Sequence, residues 1–256
     1  MNSLLLAVLF IGGMIAFAVL GLTPARRVTH KVVGEGHNDV LVPLFLTAGV
    51  IYAVLLGFIV VGEWESYDAA KTNTAEEAAL LVPLYRQTEV MAAGNGAKMR
   101  EALRAYAEDV ANGWPRFQEG KRNRRAGKDV NRIFAVFAAL KPANKPREII
   151  AAQFMTTFSQ MILDRNRRYV QAADSLSWIM WVAAIGGAIV TVGMSLFLYM
   201  DRFWPQLVMV SVMSALIGML LFTTALFSRP FVGPLAIDAG PFEQSISVFA
   251  DVDRGF

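Results

Sequence analysis

Few side chains in this 256-residue sequence could carry out covalent or acid-base chemistry. The only histidines, His30 and His37, have no carboxylate beside them at ligand spacing and make a weak metal site. Asn38 or Asp39 more simply caps a helix with Pro43 in its first turns. The sequence has no cysteine, Ser-His-Asp arrangement, phosphate-binding loop or paired carboxylates within an apolar run. We therefore predict that the protein is not an enzyme and has no catalytic residues, cofactor or metal.

Acidic and aromatic side chains follow the most apolar part of the chain, and these residues are Glu63, Trp64, Glu65, Tyr67 and Asp68. Acids that several subunits bring to the mouth of a pore form a ring, and such rings usually favour cations. The ordinary role of acids at the end of an apolar helix is solvation at the membrane surface. Both interpretations place this segment where a helix leaves the lipid.

Two sets of residues spaced four apart lie on adjacent faces of the helix before these acids. The small face consists of Gly49, Ala53 and Gly57. Small residues at this spacing let helices approach closely in lipid, so we predict a helix contact there. The apolar stripe consists of Val50, Val54 and Phe58. A ring of such residues from several subunits forms a constriction that gates by dewetting, whereas in a single chain they are ordinary lipid-facing or core residues.

The small face and the apolar stripe lie in one of several long charge-free runs of the sequence. The chain is 55% hydrophobic and 18% charged, with a mean hydropathy of +0.44, which is too apolar for a soluble domain and too charged for one lying wholly in a membrane. A bilayer core needs roughly 20 consecutive apolar residues. Four runs supply them, at residues 3–22, 40–62, 175–200 and 203–227. The first has no basic residue before it and is too long for a cleaved signal peptide, so we expect it to be retained.

These runs predict an all-α integral membrane protein with four transmembrane helices in two pairs. The predicted organisation is a first helix pair at 1–62, a helical cytoplasmic domain at 63–174, a second helix pair at 175–228 and a C-terminal tail at 229–256. Turn-forming residues predict breaks within the polar domain at 94–96, 113–115 and 141–146. Between the breaks, apolar residues recur at helical spacing: Met99, Leu103, Tyr106 and Val110; Val130, Ile133, Phe134, Phe137 and Leu140; and Ile150, Phe154, Phe158 and Met161.

The second and third spans are predicted to extend into the polar domain. No turn cluster stops the helix after residue 62, although Pro83 should kink it. From Pro146 onward no Gly or Pro interrupts the chain before the third span, which predicts one rod of about 80 Å. The tail around residues 231–249 is predicted to be an amphipathic segment that folds back on these rods or on the membrane surface. The apolar stripes exceed what one chain easily buries, so we expect a homo-oligomer.

The distribution of charged residues indicates possible partners of the polar domain and the orientation of the protein in the membrane. Residues 63–174 contain 18 Lys and Arg against 14 Asp and Glu, with a basic cluster at Lys121, Arg122, Arg124, Arg125 and Lys128. Such a cluster attracts anions or lipid headgroups, or is simply solvated, and without interleaved aromatic residues we predict no nucleic-acid partner. Basic residues near the span ends number four on one side and five on the other. This small excess places the polar domain and both termini in the cytoplasm.

Several motifs together resemble a known family. Leu56-Gly57-Phe58 followed by Trp64-Glu65-Ser66-Tyr67-Asp68 resembles the second span of bestrophins over about 35 residues. Almost the whole chain is similar to the bacterial bestrophin-like domain family, an uncharacterised family of integral membrane proteins. The further motifs that carry this similarity are His37-Asn38-Asp39, VIYAVLLGF, EAALLVPLYR, Trp114-Pro115 and Pro230-Phe231-x-Gly233.

The resemblance implies a pentameric anion channel in the bacterial inner membrane, with the second span lining the pore. By position, Val50, Val54 and Phe58 would form the neck, and we call them the neck stripe. The two valines are smaller than the residues usual at this neck, which leaves a wider or a non-conducting constriction as alternatives. Asp68 would lie at a contact between subunits and pair with an arginine of the polar domain. The alternative function, from a different class, is a non-conducting membrane scaffold or sensor whose cytoplasmic helices bind a partner.

Overall fold

The computed structural model describes residues 3–32, 36–91, 93–140 and 144–255, and these are mostly helical, with no β-strand among them. Four helices are long and apolar enough to cross a membrane: Leu4–Thr29, His37–Val90, Trp178–Leu196 and Phe203–Phe227. The protein is thus an all-α membrane protein, which confirms the predicted fold class. The chain divides into two compact units. The first comprises Met1–Tyr67, Ser175–Arg229 and Gly233–Leu235, and the second Asp68–Asp174, Pro230–Val232 and Ala236–Phe256.

In chain order the α-helices are α1 (Ser3–Ala7), α2 (Gly13–Val32), α3 (His37–Ala79), α4 (Leu81–Gln87), α5 (Ala93–Asn112), α6 (Trp114–Gln118), α7 (Arg124–Ala138), α8 (Lys145–Ala173), α9 (Trp178–Leu196), α10 (Phe203–Phe227) and α11 (Gly240–Arg254). A π-helical stretch, Val8–Gly12, joins α1 to α2, and a 3₁₀ turn, Thr88–Val90, follows α4.

Close helix contacts organise the first unit. A Cβ at Gly218 in α10 would lie 2.8 Å from the Cα of Ile11 and from the carbonyl oxygen of Phe10, so only glycine admits the π-helical stretch at this point. The ring of Tyr52 in α3 lies directly against Gly187 in α9, and its hydroxyl donates a hydrogen bond to a carbonyl of α9 at 3.0 Å. Tyr52, Leu56 and Ile59 are buried, and we call them the packed face of α3.

The first span is longer than predicted. The apolar run ends at residue 22, but α2 continues to Val32 through Pro24. Arg26 donates a 2.6 Å hydrogen bond to Oε1 of Gln206, and the hydroxyl of Thr29 donates to the carbonyl of Ala25 at 3.0 Å. Charged residues end the apolar run here but do not end the helix, because the polar side chains of the last turns form hydrogen bonds.

Aromatic side chains form the core of the second unit. Trp114 and Phe117 in α6 contact Phe231, with ring centroids 6.1 and 5.1 Å apart. The tail forms α11, whose Phe249 stacks on Tyr85 of α4 at a centroid distance of 4.1 Å. The hydroxyl of Ser245 also donates to the carbonyl of Ala78, at the end of α3, at 2.8 Å. The amphipathic tail therefore folds back on the extension of the second span, one of the two surfaces predicted for it.

The third span and the helix before it do not form the predicted single rod. Helix α8 ends at Ala173, Asp174 is extended, and α9 begins at Trp178. Asp and Ser side chains hydrogen-bond to nearby backbone and favour helix ends, so the Asp174-Ser175-Leu176-Ser177 segment interrupts the helix although it has no Gly or Pro. The kink predicted at Pro83 appears as a break at Leu80, because proline has no N–H to bond the carbonyl of Ala79.

The predicted break at residues 94–96 is also wrong. The chain turns earlier, at the extended residue Met91, and α5 begins at Ala93 and runs through both glycines. Burial of Met99, Leu103 and Tyr106 on one face outweighs the weak helix preference of glycine, which costs about 1 kcal/mol per residue. The break expected at 113–115 is found between α5 and α6. Residues 141–143 of the third predicted break lie outside the described residues.

Candidate functional site

The neck stripe lies on an exposed face of α3. Val50, Val54 and Phe58 are 63%, 53% and 75% exposed. Successive residues turn by about 100° around a helix, which puts this stripe roughly opposite the packed face. Because Tyr52 docks on α9, the stripe must point away from the rest of the first unit. The eight helical steps from residue 50 to residue 58 correspond to about 12 Å along the helix.

The small face makes no helix contact within the described part of the chain. Ala53 and Gly57 are exposed, and Gly49 is half-buried. A Cβ built at either glycine would meet no atom within 4 Å. The contact inside the chain uses the larger residues of the packed face, because the recess at Gly187 accepts the ring of Tyr52. A contact at the small face therefore needs a partner outside this chain.

The aromatic and acidic residues after the neck stripe have different environments. The hydroxyl of Tyr67 donates to the carbonyl of Leu235 at 2.8 Å, and its ring lies 5.4 Å from that of Phe227. Trp64 is exposed, and Glu63 is half-buried. Asp68 is also exposed and, among the described residues, forms no ion pair with an arginine of its own chain, so the pair expected at a subunit contact stays a prediction. Arg168, the most buried arginine of the second unit, binds another acid.

The polar residues at the start of α3 tie two segments of the first unit together. The amide of Asn38 donates to the carbonyl of Tyr199 at 2.9 Å and accepts from its N–H at 3.0 Å. Nε2 of His37 lies 3.3 Å from the carbonyl of Phe197. Asn38 therefore holds the segment between α9 and α10, instead of capping its own helix. The side chain of His30 lies outside the described residues, among which no cluster of three or more His, Asp or Glu could hold a metal ion.

The second unit contains a buried ion pair that is not among the site residues predicted from the sequence. Glu77 in α3 is fully buried and Arg168 in α8 is 2% exposed. Nε and Nη2 of Arg168 donate to Oε2 and Oε1 of Glu77 at 2.7 and 3.0 Å, and the hydroxyl of Tyr106 donates to Oε1 at 2.6 Å. A bidentate arginine–carboxylate ion pair of this kind is among the strongest contacts between side chains.

Aromatic rings surround the cation of this pair. The guanidinium carbon of Arg168 lies 4.8 to 5.6 Å from four ring centroids, those of Trp114, Phe117, Tyr169 and Phe242. Burial alone lowers the pKa of Arg168, but Glu77 raises it above its ordinary value, so the guanidinium is always charged. Burial and the neighbouring Glu77 raise the pKa of Tyr106 well above its ordinary value. The phenol is therefore a permanent donor to the carboxylate.

Comparison with known proteins assigns the family. A family model described as a bestrophin-like domain matches residues 12–242, which is most of the chain. The chain belongs to the bestrophin-like family. This family is related to bestrophin channels and is oligomeric in general. No curated protein matches this chain.

The buried pair of this bestrophin-like protein left a signal in its sequence. Glu77 follows Ala70 and Thr74 at helical spacing and precedes Leu81, so a charge occupies a position of the buried stripe. Arg168 similarly follows Met161 one heptad later on the buried side of α8. A charge within an otherwise apolar stripe predicts a buried partner, because an isolated buried ion is too costly. The partner itself, 91 residues away, cannot be identified from this pattern.

Proposed function

We propose that this bestrophin-like protein assembles into a homo-oligomeric channel through which ions pass passively. In the proposed assembly, α3 of each subunit faces a central axis with its neck stripe. The observation that carries this proposal is the exposure of Val50, Val54 and Phe58 within the charge-free part of α3, residues 40–62, on the side away from the packed face. A ring of these side chains would form an apolar constriction about 12 Å long, which can close by dewetting.

Two further surfaces support self-association. The small face of α3 leaves open space beside Gly49 and Gly57, which suits close approach of a second transmembrane helix. In the second unit, α8 carries an exposed row with one residue per heptad, made of Ile149, Thr156, Leu163 and Val170. Its three apolar members are each more than half exposed. Such an exposed, mainly apolar row along one face offers a surface to a neighbouring helix.

The proposed selectivity is for anions, and it rests on the relationship to bestrophin channels. Glu63, Glu65 and Asp68 follow the neck stripe and would favour cations if they formed a ring around the pore. Reversal potentials in asymmetric chloride solutions, with an impermeant cation on both sides, distinguish anion selectivity from cation selectivity. A shift that follows the chloride gradient supports anion selectivity, and a potential that follows added sodium rejects it.

Recording from the purified protein in planar bilayers tests the channel directly. We expect single-channel steps, and we expect the Val50→Ala/Val54→Ala/Phe58→Ala variant to raise the open probability or conductance, because shorter side chains widen and wet the neck. The matched control replaces Val208, Val212 and Leu216 with Ala. These three residues of α10 are also apolar, spaced four apart and more than half exposed. The proposal fails if both triple variants are silent or if both change conductance equally.

The number of subunits separates this proposal from the alternative. Native mass spectrometry in lipid should give a single oligomer, with about five chains by analogy with bestrophins. A monomer or dimer would instead favour the non-conducting scaffold or sensor, whose polar helices bind another protein.

We also propose that the second unit and both termini lie in the cytoplasm of a bacterial cell, with the protein in the inner membrane. The chain has no cysteine, so single cysteines can be placed on a clean background. Lys128→Cys, in α7, should resist an impermeant thiol reagent in intact cells, whereas Asp201→Cys, between α9 and α10, should react. The opposite labelling pattern would reverse the orientation.

A further inference from the structure

Four residues of the basic cluster, Lys121, Arg122, Arg124 and Arg125, line an open cavity in the second unit. The cavity has a volume of about 870 Å³, within the range of ligand-binding pockets. Nine residues line it: Asp109, Asn112, Gly113, Arg116, Lys121, Arg122, Asn123, Arg124 and Arg125. Five of these nine are basic and one is acidic. None of the nine is aromatic.

Among the described residues, most of these cations form no ion pair within 4 Å. Nζ of Lys121 pairs with Glu119 at 2.6 Å, and the guanidinium of Arg122 stacks over the ring of Tyr169 at 5.6 Å. The side chains of Arg116, Arg124 and Arg125 donate no hydrogen bond to any described residue, and all three are exposed. Three guanidinium groups with their donors free therefore lie around one cavity.

The loop that carries these cations is held in place by its own hydrogen bonds. The N–H of Lys121 donates to the carbonyl of Arg116 at 3.0 Å, and Gly120 turns the chain with a φ of 77°. The amide of Asn123 donates to the carbonyl of Asp109, and its oxygen accepts from the N–H groups of Arg125 and Ala126 at 3.1 and 3.3 Å. Like charges are thus kept close together by bonds that do not involve the charges.

The start of α7 adds to the positive potential. Arg124 and Arg125 are its first residues, Lys128 follows in the next turn, and the first turn has no acid. A helix N-terminus carries a partial positive charge of about half a unit, so basic residues there oppose the usual preference for acids. Departures from a local preference are characteristic of functional positions. A bound anion would remove this repulsion.

We propose that this cavity binds a small polyanion that carries two or more phosphate groups, either free or as the headgroup of an anionic lipid. A guanidinium group can donate two parallel hydrogen bonds to the oxygens of a phosphate, and several guanidinium groups line this cavity. The volume admits a molecule larger than a single phosphate ion. Without a lining aromatic ring the cavity offers no stacking surface for a nucleobase, which argues against a nucleic-acid strand. The proposal goes beyond ion conduction and does not depend on it.

Titration of the full-length protein with inorganic triphosphate, in phosphatidylcholine nanodiscs, tests the free-ligand form of the proposal. Isothermal titration calorimetry should give one site per subunit, with a Kd that rises with salt because the contacts are ionic. The Arg124→Gln/Arg125→Gln variant should raise the Kd about a hundredfold, which is about tenfold for each guanidinium removed. The matched control, Lys98→Gln/Arg147→Gln, removes the same charge from exposed positions outside the cavity and should leave the Kd unchanged.

A second experiment tests whether the cavity binds the headgroup of an anionic lipid. Adding cardiolipin, whose headgroup carries two phosphates, to the nanodiscs should raise the melting temperature of the wild type and of the control, but not of the double variant. Melting without ligand verifies that the double variant is folded. A response in either arm that the double variant loses and the control keeps supports the proposal. The proposal is overturned if the two variants behave alike in both arms, or if a single-stranded oligonucleotide binds the wild type more tightly than triphosphate does.

Discussion

The buried pair of Glu77 and Arg168 makes the second unit sensitive to a change of a single functional group. Replacing Glu77 with Gln keeps the side-chain volume but removes the negative charge, and it leaves one oxygen where Arg168 and Tyr106 now use two. The guanidinium of Arg168 remains, 2% exposed, with no counter-ion. Its ring contacts are the same before and after the substitution, so they do not offset the loss.

The expected cost follows from this geometry. Stranding one member of a buried ion pair destabilises a protein by about 3–5 kcal/mol. For a chain of this size each kcal/mol lowers the melting temperature by about 2–4 °C, so Glu77→Gln should lower it by at least about 6 °C. Tyr106→Phe removes a single donor to the carboxylate and should cost less, about 1–3 kcal/mol.

Thermal melting of the purified full-length protein, followed by circular dichroism, measures the effect. The matched control is Glu101→Gln, which breaks an exposed ion pair with Arg132 whose side chains are 2.8 Å apart and 65% and 46% exposed. Exposed pairs contribute at most about 1 kcal/mol. If Glu77→Gln melts together with Glu101→Gln, the structural role assigned to the buried pair is refuted.

A double variant identifies the source of the loss. Arg168→Met alone leaves the Glu77 carboxylate buried without its cation, and Glu77→Gln alone leaves the cation buried without its acid. The combined Glu77→Gln/Arg168→Met variant buries neither charge, so it should be less destabilised than the sum of the two single variants. Simple additivity would mean that the two side chains do not act as a pair.

Three further predictions concern other parts of the chain. Burial and a hydrogen bond with Asp109 raise the pKa of Asp129 to about 6, so between about pH 4 and this value the folded protein holds more protons there. Stability should therefore fall as pH rises through this window, and Asp129→Asn should flatten the dependence of melting temperature on pH. Gly218→Ala should destabilise the first unit by about 1–3 kcal/mol through overpacking and reduce the monodisperse fraction on size-exclusion chromatography. Asn123→Ala should cost about 1 kcal/mol in chemical denaturation, because it removes the cap of α7.

Each of these three predictions can be checked against a control variant. Gly193→Ala, at a position in α9 where a Cβ meets no atom within 4 Å, should leave the elution profile unchanged, and equal damage from both glycine variants would contradict the close contact at Gly218. Asn123→Asp keeps a capping oxygen, so it should be more stable than Asn123→Ala. A pH profile that is identical with and without Asp129 would contradict the assignment of the titration to this carboxyl group.

Periodic patterns were the part of the fold that sequence could predict. Met99, Leu103 and Tyr106 are all buried, as their helical spacing indicated, because the period of an amphipathic helix is a local property. Helix ends were predicted less well. The interruption at Asp174 and the continuation of α2 to Val32 depend on hydrogen bonds of individual polar side chains, which hydropathy does not measure.

The candidate site divides in the same way. The neck stripe of α3 could be named from its spacing and its resemblance to bestrophins, but the pairing of Glu77 with Arg168 could not. Their two helices approach only when the chain folds, and the position of each charge in a buried stripe indicates a buried partner without identifying it. The basic cavity is an intermediate case, since its cations were evident in the sequence and their arrangement around one space was not.

By itself the sequence determined four helices able to cross a bilayer and a polar domain between them, because span length and charge content are read along the chain. Only the tertiary structure decided which side of α3 is available to a partner. Tyr52 fits the recess at Gly187 on a helix distant in sequence, and this leaves Val50, Val54 and Phe58 on the outside of the first unit. The physical reason is steric, because a ring can dock only where another helix lacks a side chain.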